Sequence, residues 1–338
     1  MTVESNTELH SLTVLLAEHQ ERNAYRAQLL HNVAALHEAL GHLDDALPCH
    51  KEALAIQQEL GDQQGQGASL NSIAAIYHSQ GQYDTALAAF QQALVIAQAN
   101  NDKQGEGTSL NNLAAIYHVQ GELELALNAL QQALTIRKKL GDKAGEGASL
   151  NNIGVLYHAQ GHEELALAAF QQALAIRQEL NDKKGQGTTL NNLALIYDVQ
   201  GNYDIARNYF QQSLAIWQEL GDKQGEGASL NNIAGLYRSQ GDTKTALDYR
   251  QQALAIQQEI GDAAGMCITL FNIGHLYSDQ GNEERALQTW AWTYLLAKQI
   301  NRAEALQRLE QLARQLGLEG GVQVWQSLAE QFKMSDTK

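Results

Sequence analysis

Residues 221–260 read GDKQGEGASLNNIAGLYRSQGDTKTALDYRQQALAIQQEI, and variants of this pattern stand every 40 residues along most of the chain. Gly81, Gly121, Gly161, Gly201, Gly241 and Gly281 mark its centre, each four residues after a tyrosine, Tyr77, Tyr117, Tyr157, Tyr197, Tyr237 and Tyr277. Seven units result, beginning near residues 22, 62, 102, 142, 182, 222 and 262, with His37 in place of the tyrosine in the first. A fixed period of this length is the mark of a repeat architecture.

Within the second unit, Leu70, Ile73, Ala74 and Tyr77 fall at i, i+3, i+4 and i+7, and Ala86, Phe90, Ala93 and Ile96 repeat helical spacing after Gly81. Each unit is therefore a hairpin of two α-helices. Neither stripe is wide enough to make a core alone, so stacked neighbours must complete it. Gly61-Asp62, Asn101-Asp102, Gly141-Asp142, Asn181-Asp182, Gly221-Asp222 and Gly261-Asp262 put a left-handed C′ residue directly before an N-cap acid. Gly65 and Gly67, like Gly145 and Gly147, fall in the first turns of the first helix, where glycine costs about 1 kcal/mol relative to alanine. Close backbone approach between hairpins is the expected compensation.

The chain has 338 residues, 28 Gly, one Pro and a net charge of −15, with 18% charged residues. An acidic balance argues against a polyanionic partner. Lys103, Lys143, Lys183 and Lys223 form a column, but each follows an Asp, so nucleic acid is not expected. Cys49 and Cys267 have neither disulfide-framework nor zinc-knuckle spacing, which fits a reducing, cytoplasmic setting. No export signal or membrane-spanning run is read from the sequence. GDKQGEG and GDKAGEG have no preceding strand and no Gly-Lys-Ser/Thr, and no GxSxG, HExxH or EF-hand loop occurs. The expectation is a non-enzymatic protein without cofactor or metal.

The series Leu70, Ile73, Ala74, Tyr77, Gly81, Tyr83, Ala86, Phe90 and Ala93 resembles the tetratricopeptide repeat over residues 22–301. Its 40-residue period and strings such as LNNLAAIY resemble the repeats of kinesin light chain and Pins-like spindle adaptors. That resemblance implies an all-α, right-handed superhelical solenoid of seven hairpins, with protein–protein interaction as its usual role. His50 and Arg250 depart from the pattern where Phe90, Phe170 and Phe210 stand, and Pro48 inside a second helix should kink it. Residues 1–21 are expected as a capping helix carrying Leu9, Leu12, Leu15 and Leu16; 302–316 and 322–333 as two helices within a C-terminal cap; and 334–338 as disordered. Trp290, Trp292, Tyr294 and Trp325 are expected to seal that end.

On the first helix, the positions of Ala68, Ser72, Ala75 and Ser79 project opposite the core stripe and should line the concave wall. The Ser72 column continues as Asn32, Asn112, Asn152, Asn192, Asn232 and Asn272. A carboxamide both donates and accepts, so this ladder suits the backbone of an extended peptide; it could equally bond the next hairpin or water. Asn71, Asn111, Asn151, Asn191 and Asn231 point toward the next first helix and are expected to brace repeats. Val119, Val155, Leu195 and Val199 form either an exposed apolar patch or a partly buried seam. His78, His118, His158 and Arg238 stand in a rim column. Successive repeats separate its members by roughly 10 Å, against about 2 Å for a zinc–nitrogen bond, so it holds no shared metal and is read as solvated or as a pH-sensitive partner contact.

The expected function is a peptide- or helix-binding adaptor, monomeric or weakly self-associating, with protein or peptide partners, no nucleic acid and no membrane. A peptide-gated sensor, resembling bacterial quorum-sensing receptors of the same repeat, and a self-assembling structural array are the alternatives.

Overall fold

A computed structural model describes the backbone of residues 3–39 and 42–335 and the side chains of 20–38 and 42–332. These residues form sixteen α-helices and one 3-10 turn, with no strand among them. The chain divides into two compact units, Met1–Ile176 and Arg177–Lys338. The first contains α1 (Val3–Ala39), α2 (Leu43–Leu60), α3 (Gln63–Ser79), α4 (Tyr83–Ala99), α5 (Lys103–Val119), α6 (Leu123–Leu140) and α7 (Lys143–Ala159). The division falls within α8 (Glu163–Glu179). The second unit continues with α9 (Lys183–Val199), α10 (Tyr203–Leu220), α11 (Lys223–Ser239), α12 (Thr243–Glu259), α13 (Ala263–Asp279), α14 (Glu283–Gln299), α15 (Ala303–Gln315) and α16 (Val324–Ser335). Consecutive helices pack on one another from α1 to α7 and from α9 to α15, α16 packs on α14, and first helices also meet, α3 on α5 and α9 on α11. This is the layered pairing of an α-solenoid. No described helix is long and apolar enough to cross a membrane.

The junctions form as their chemistry requires. Gly61, Asn101, Gly141, Asn181, Gly221 and Gly261 take φ between 56° and 71°. Each following aspartate accepts the backbone N–H of the glycine three residues on, at 2.8–2.9 Å. The reason for that glycine differs from the expected backbone approach. A Cβ on Gly65, Gly145 or Gly185 would lie 2.0–2.2 Å from the capping carboxylate and 2.6–2.7 Å from Gln57, Arg137 or Arg177. Side chains of the cap and of the preceding helix fill the space, whereas a Cβ on Gly67 or Gly107 would meet only ordinary contacts at 3.8 and 3.6 Å.

Ala86, Ala126 and Ala166 in the first unit and Ala206, Ala246 and Ala286 in the second are wholly buried, which lets paired helices approach closely. Phe90, Leu130, Phe170, Phe210 and Trp290 fill the space beside them. The first helix buries a wider arc than the single stripe, because it also meets its neighbours. Ile76, Ile116, Leu156, Ile196, Leu236 and Leu276 are buried, and so is a hydroxyl column of Ser69, Ser109, Ser149, Thr189, Ser229 and Thr269. Arg137 Nη1 donates to Gly145 O at 2.7 Å and Ser149 Oγ at 3.1 Å, and Arg177 Nη1 makes the same pair of bonds to Gly185 O and Thr189 Oγ1 at 2.6 Å each. Each thereby satisfies a buried hydroxyl and a helix-start carbonyl.

Residues 21 and 22 both lie inside α1, with no helix end between the expected cap and the first repeat. The side chains of Leu9, Leu12, Leu15 and Leu16 lie outside the described residues. α2 runs through Pro48. At the other end Trp290, Tyr294 and Trp325 are buried together, with Trp325 Nε1 donating to Leu309 O at 2.8 Å, while Trp292 is 44% exposed and takes no part in the seal. α16 reaches Ser335, two residues into the stretch expected to be disordered; 336–338 lie outside the described residues.

Candidate functional site

At the first-helix positions expected to line a binding face, exposure varies from repeat to repeat. Ala75 and Ala115 are exposed there, and Val155, Leu195 and Gly235 are half-buried. Val119 and Val199, one turn further on, are 49% and 66% exposed. In the first unit Val119 is thus open and Val155 partly covered, and in the second Val199 is open and Leu195 partly covered. Leu195 packs against the core around Phe210.

The asparagines of the Ser72 column differ in their partners. Asn152 Nδ2 donates to Asn111 Oδ1 at 3.2 Å in the first unit, and Asn232 Nδ2 to Asn191 Oδ1 at 2.8 Å in the second. Both expected columns are joined in these pairs, so Asn152 and Asn232 brace first helices with half of their carboxamide. Asn32 is exposed and accepts from Gln28 Nε2 within α1 at 3.1 Å. Asn192 is half-buried and has an interaction of its own. Asn112 and Asn272, both half-buried, have no hydrogen-bond partner among the described residues. In the preceding repeat Asn71 exchanges hydrogen bonds with Ser109 at 3.1 and 3.2 Å.

His118, Asn111, Asn152, Ala115 and Val155 line a depression of about 110 Å³ on this face of the first unit. This brings three expected site residues together. The other members of the rim column reach sideways. His158 Nδ1 lies 2.9 Å from Glu163, the first residue of α8, and Arg238 Nε donates to Asp279 at 2.7 Å. His78 packs its ring 5.7 Å from that of Tyr83.

The two substitutions for phenylalanine create polar cores that periodicity alone does not describe. His50 is 1% exposed, with Nε2 2.6 Å from Glu38 Oε1 and a buried Nδ1 that has no partner. The pKa of neighbouring His31 is lowered by burial and then by His50, against the pull of Glu38. Arg250 donates from Nη1 to Asn231 Oδ1 at 2.8 Å, and burial, with Arg238 adding to it, pushes its guanidinium down to about 10. Both positions could be found in the sequence, since each breaks an aromatic column, but the distant partner of each side chain could not. His37, His42 and Asp45, at the turn between α1 and α2, have ligand atoms within 4.8 Å of one another and are the group among the described residues whose spacing would admit a metal ion.

A model of the tetratricopeptide repeat matches residues 25–99, 105–179, 185–259 and 228–290. The chain belongs to the tetratricopeptide-repeat family. No curated protein sequence matches it. Among solved structures, BtubC (BKLC) from P. vanneervenii is similar at a TM-score of 0.55 and 23% identity, over 64% of this chain and 91% of that one. Aspartyl phosphate phosphatase F from Bacillus subtilis is similar at 0.63 and 18%, over 90% and 78%. The Rap conjugation gene regulator of plasmid pLS20, solved with the Phr* peptide, is similar at 0.64 and 16%, over 82% and 75%. At these identities the likeness concerns the tetratricopeptide-repeat fold. In this chain the repeat's first helices carry both the braces, Asn152 and Asn232, and the unengaged carboxamides, Asn112 and Asn272.

Proposed function

We propose that this tetratricopeptide-repeat chain is a non-enzymatic interaction scaffold that holds an extended peptide segment of a partner protein along its first-helix face. The observation that carries this reading is the depression lined by His118, Asn152 and Val155. The unpartnered carboxamide of Asn112 and the exposed side chain of Val119 lie on the same helix, α5, as His118. A carboxamide offers a donor and an acceptor to a peptide backbone, and the apolar edge supplies non-directional area. In the second unit Asn272, Val199 and Leu195 are the corresponding contacts, with the free half of Asn232 beside them. The same fold in the pLS20 Rap regulator was solved with a peptide, which supports peptide as the ligand class here.

The test is selection of random peptides on the immobilised full chain, followed by affinity measurement against Asn112→Ala/His118→Ala/Val119→Ala. None of these three side chains braces a repeat, so helicity should be unchanged by circular dichroism. Selected peptides should bind the variant at least about tenfold more weakly, a difference of about 1.4 kcal/mol. Equal binding would move the interaction off this face.

A further inference from the structure

Side chains from both sides of the turn between α1 and α2 converge. His37 stands in the last turn of α1, His42 is the N-cap of α2, and Asp45 lies in the first turn of that helix. The N–H of His42 donates to His37 O at 2.8 Å and the N–H of Asp45 to His42 O at 3.1 Å, so the backbone holds all three in place. One ligand atom from each side chain lies within 4.8 Å of the other two.

The later hairpins repeat this scaffold without its ligands. The bond from the His42 position to the His37 position closes all six of their turns at 2.8–2.9 Å. Tyr157 and His162, at those two positions, set their ring centroids 6.3 Å apart, against 6.0 Å for His37 and His42. Tyrosine fills the His37 position in those six units, and Thr85, Leu125, Leu165, Ile205, Thr245 and Arg285 fill that of Asp45. Of the seven units, the first alone sets two imidazoles beside an acid there.

Contacts among the described residues leave the group unsatisfied. His37 Nδ1 is shut off from water and has no hydrogen-bond partner. Asp45 Oδ2 stands 3.9 Å from it, beyond hydrogen-bonding range. The ring of His42 and the carboxylate of Asp45 also lack a hydrogen bond among the described residues. A buried ring nitrogen without a partner is unfavourable, and an ion held between the three groups would supply one. Tetrahedral Zn²⁺, with bonds of about 2.0–2.2 Å, sets its ligand atoms roughly 3.4 Å apart. Asp45 and His42 are exposed and can close the remaining distance by side-chain rotation, with the backbone unchanged.

We propose that His37, His42 and Asp45 bind a divalent transition-metal ion of the Zn²⁺ class at the turn of the first hairpin, with water in the fourth position. Two imidazole nitrogens and one carboxylate oxygen suit Zn²⁺, whereas Mg²⁺ and Ca²⁺ favour oxygen ligands. The expectation of no metal followed from histidines in separate repeats; these ligands share one turn. The ion ties α1 to α2, a hairpin held by few large apolar contacts: Ala27 and Ala34 are the fully buried apolar side chains of α1 among the described residues, while Tyr25, Leu29 and Leu36 stand exposed. An ion that binds the folded hairpin and not the open one adds its binding free energy to folding, and so orders both helices. The site does not depend on peptide binding.

The test is calorimetric titration of Zn²⁺ into the full chain, stripped beforehand with a chelator that is then removed. His37→Tyr, His42→Gln and Asp45→Thr each install the residue that the second unit holds at the same position, Tyr77, Gln82 or Thr85, so metal-free helicity should match wild type. Wild type should take up one equivalent ahead of any weaker uptake. Each variant should bind at least about tenfold more weakly, a loss that removal of even an outer-shell partner can bring. His50→Phe, which alters the neighbouring cluster of His31, Glu38 and His50, should bind as wild type does. Amide hydrogen exchange over α1 and α2 should slow when Zn²⁺ is added to wild type and not when it is added to Asp45→Thr, whose altered side chain lies outside the core. Absence of saturable Zn²⁺ uptake, unchanged affinity in the three variants, a loss confined to His50→Phe, or equal affinity for Mg²⁺ would each overturn the site.

Discussion

Asn232 Nδ2 lies 2.8 Å from Asn191 Oδ1, so a carboxamide that projects toward a binding face also ties one first helix to the next. The pair is half-buried, where a hydrogen bond contributes about 1 kcal/mol net. Asn232→Ala should lower stability by about 0.5–1.5 kcal/mol, and a double-mutant cycle with Asn191→Ala should return a coupling of similar size. Asn112→Ala, which breaks no bond, should stay within about 0.5 kcal/mol of wild type in urea denaturation.

Two glycines on the first helices should respond oppositely to alanine. Gly235→Ala fills open space within α11 and should stabilise by about 0.5–1 kcal/mol through helix propensity. A Cβ on Gly274 would lie 2.2 Å from Trp290 Nε1, whose ring is packed in the terminal core. Gly274→Ala should therefore destabilise by about 1–3 kcal/mol. Urea midpoints of the two variants, placed on either side of wild type, check this.

Replacing Arg250 with phenylalanine should raise stability. The substitution removes a desolvated charge that has no carboxylate partner among the described residues. A gain of about 1–3 kcal/mol is expected, by analogy with hydrophobic replacement of buried charges. A lower urea midpoint for Arg250→Phe would mean that the guanidinium is better satisfied than its partners indicate.

Stability should fall on mild acidification. His275 has its pKa lowered by burial and then by Arg238, with Asp279 opposing, and His31 is lowered by burial and His50, with Glu38 opposing. For a base whose folded pKa lies below its unfolded value, the unfolded chain binds more protons in the window between them. The neutral ring's contribution is therefore full above about pH 6.5 and is lost as pH falls through the folded value. The urea midpoint should be lower at about pH 5 than at about pH 7.5, and His31→Gln with His275→Gln should flatten that difference.

The period, the caps and the alanine–aromatic core were legible because each depends on residues a few positions apart. Asp142 and Gly145, or Ala166 and Phe170, state their relationship within one or two turns. The hydrogen bond of Ser149 was not legible, because it comes from an arginine twelve residues earlier reaching over a junction. The Asn152–Asn111 pair spans 41 positions, and only the stacking of first helices brings it together. A helical projection locates the face on which such a side chain stands, but the partner across the interface decides whether that side chain is free. For the same reason Arg250 was visible as a break in a column, while its capture of Asn231 was not.

Between Arg137 and Ser149 one repeat ends and the next begins through a left-handed glycine, a capping aspartate and a glycine that admits it, with an arginine clasp added. A chain longer or shorter by whole 40-residue units would keep the left-handed residue, the capping aspartate and the following glycine at each junction. The array can thus change length in whole steps, while Arg250, standing where Phe170 and Phe210 stand in other repeats, gives one step a polar core of its own.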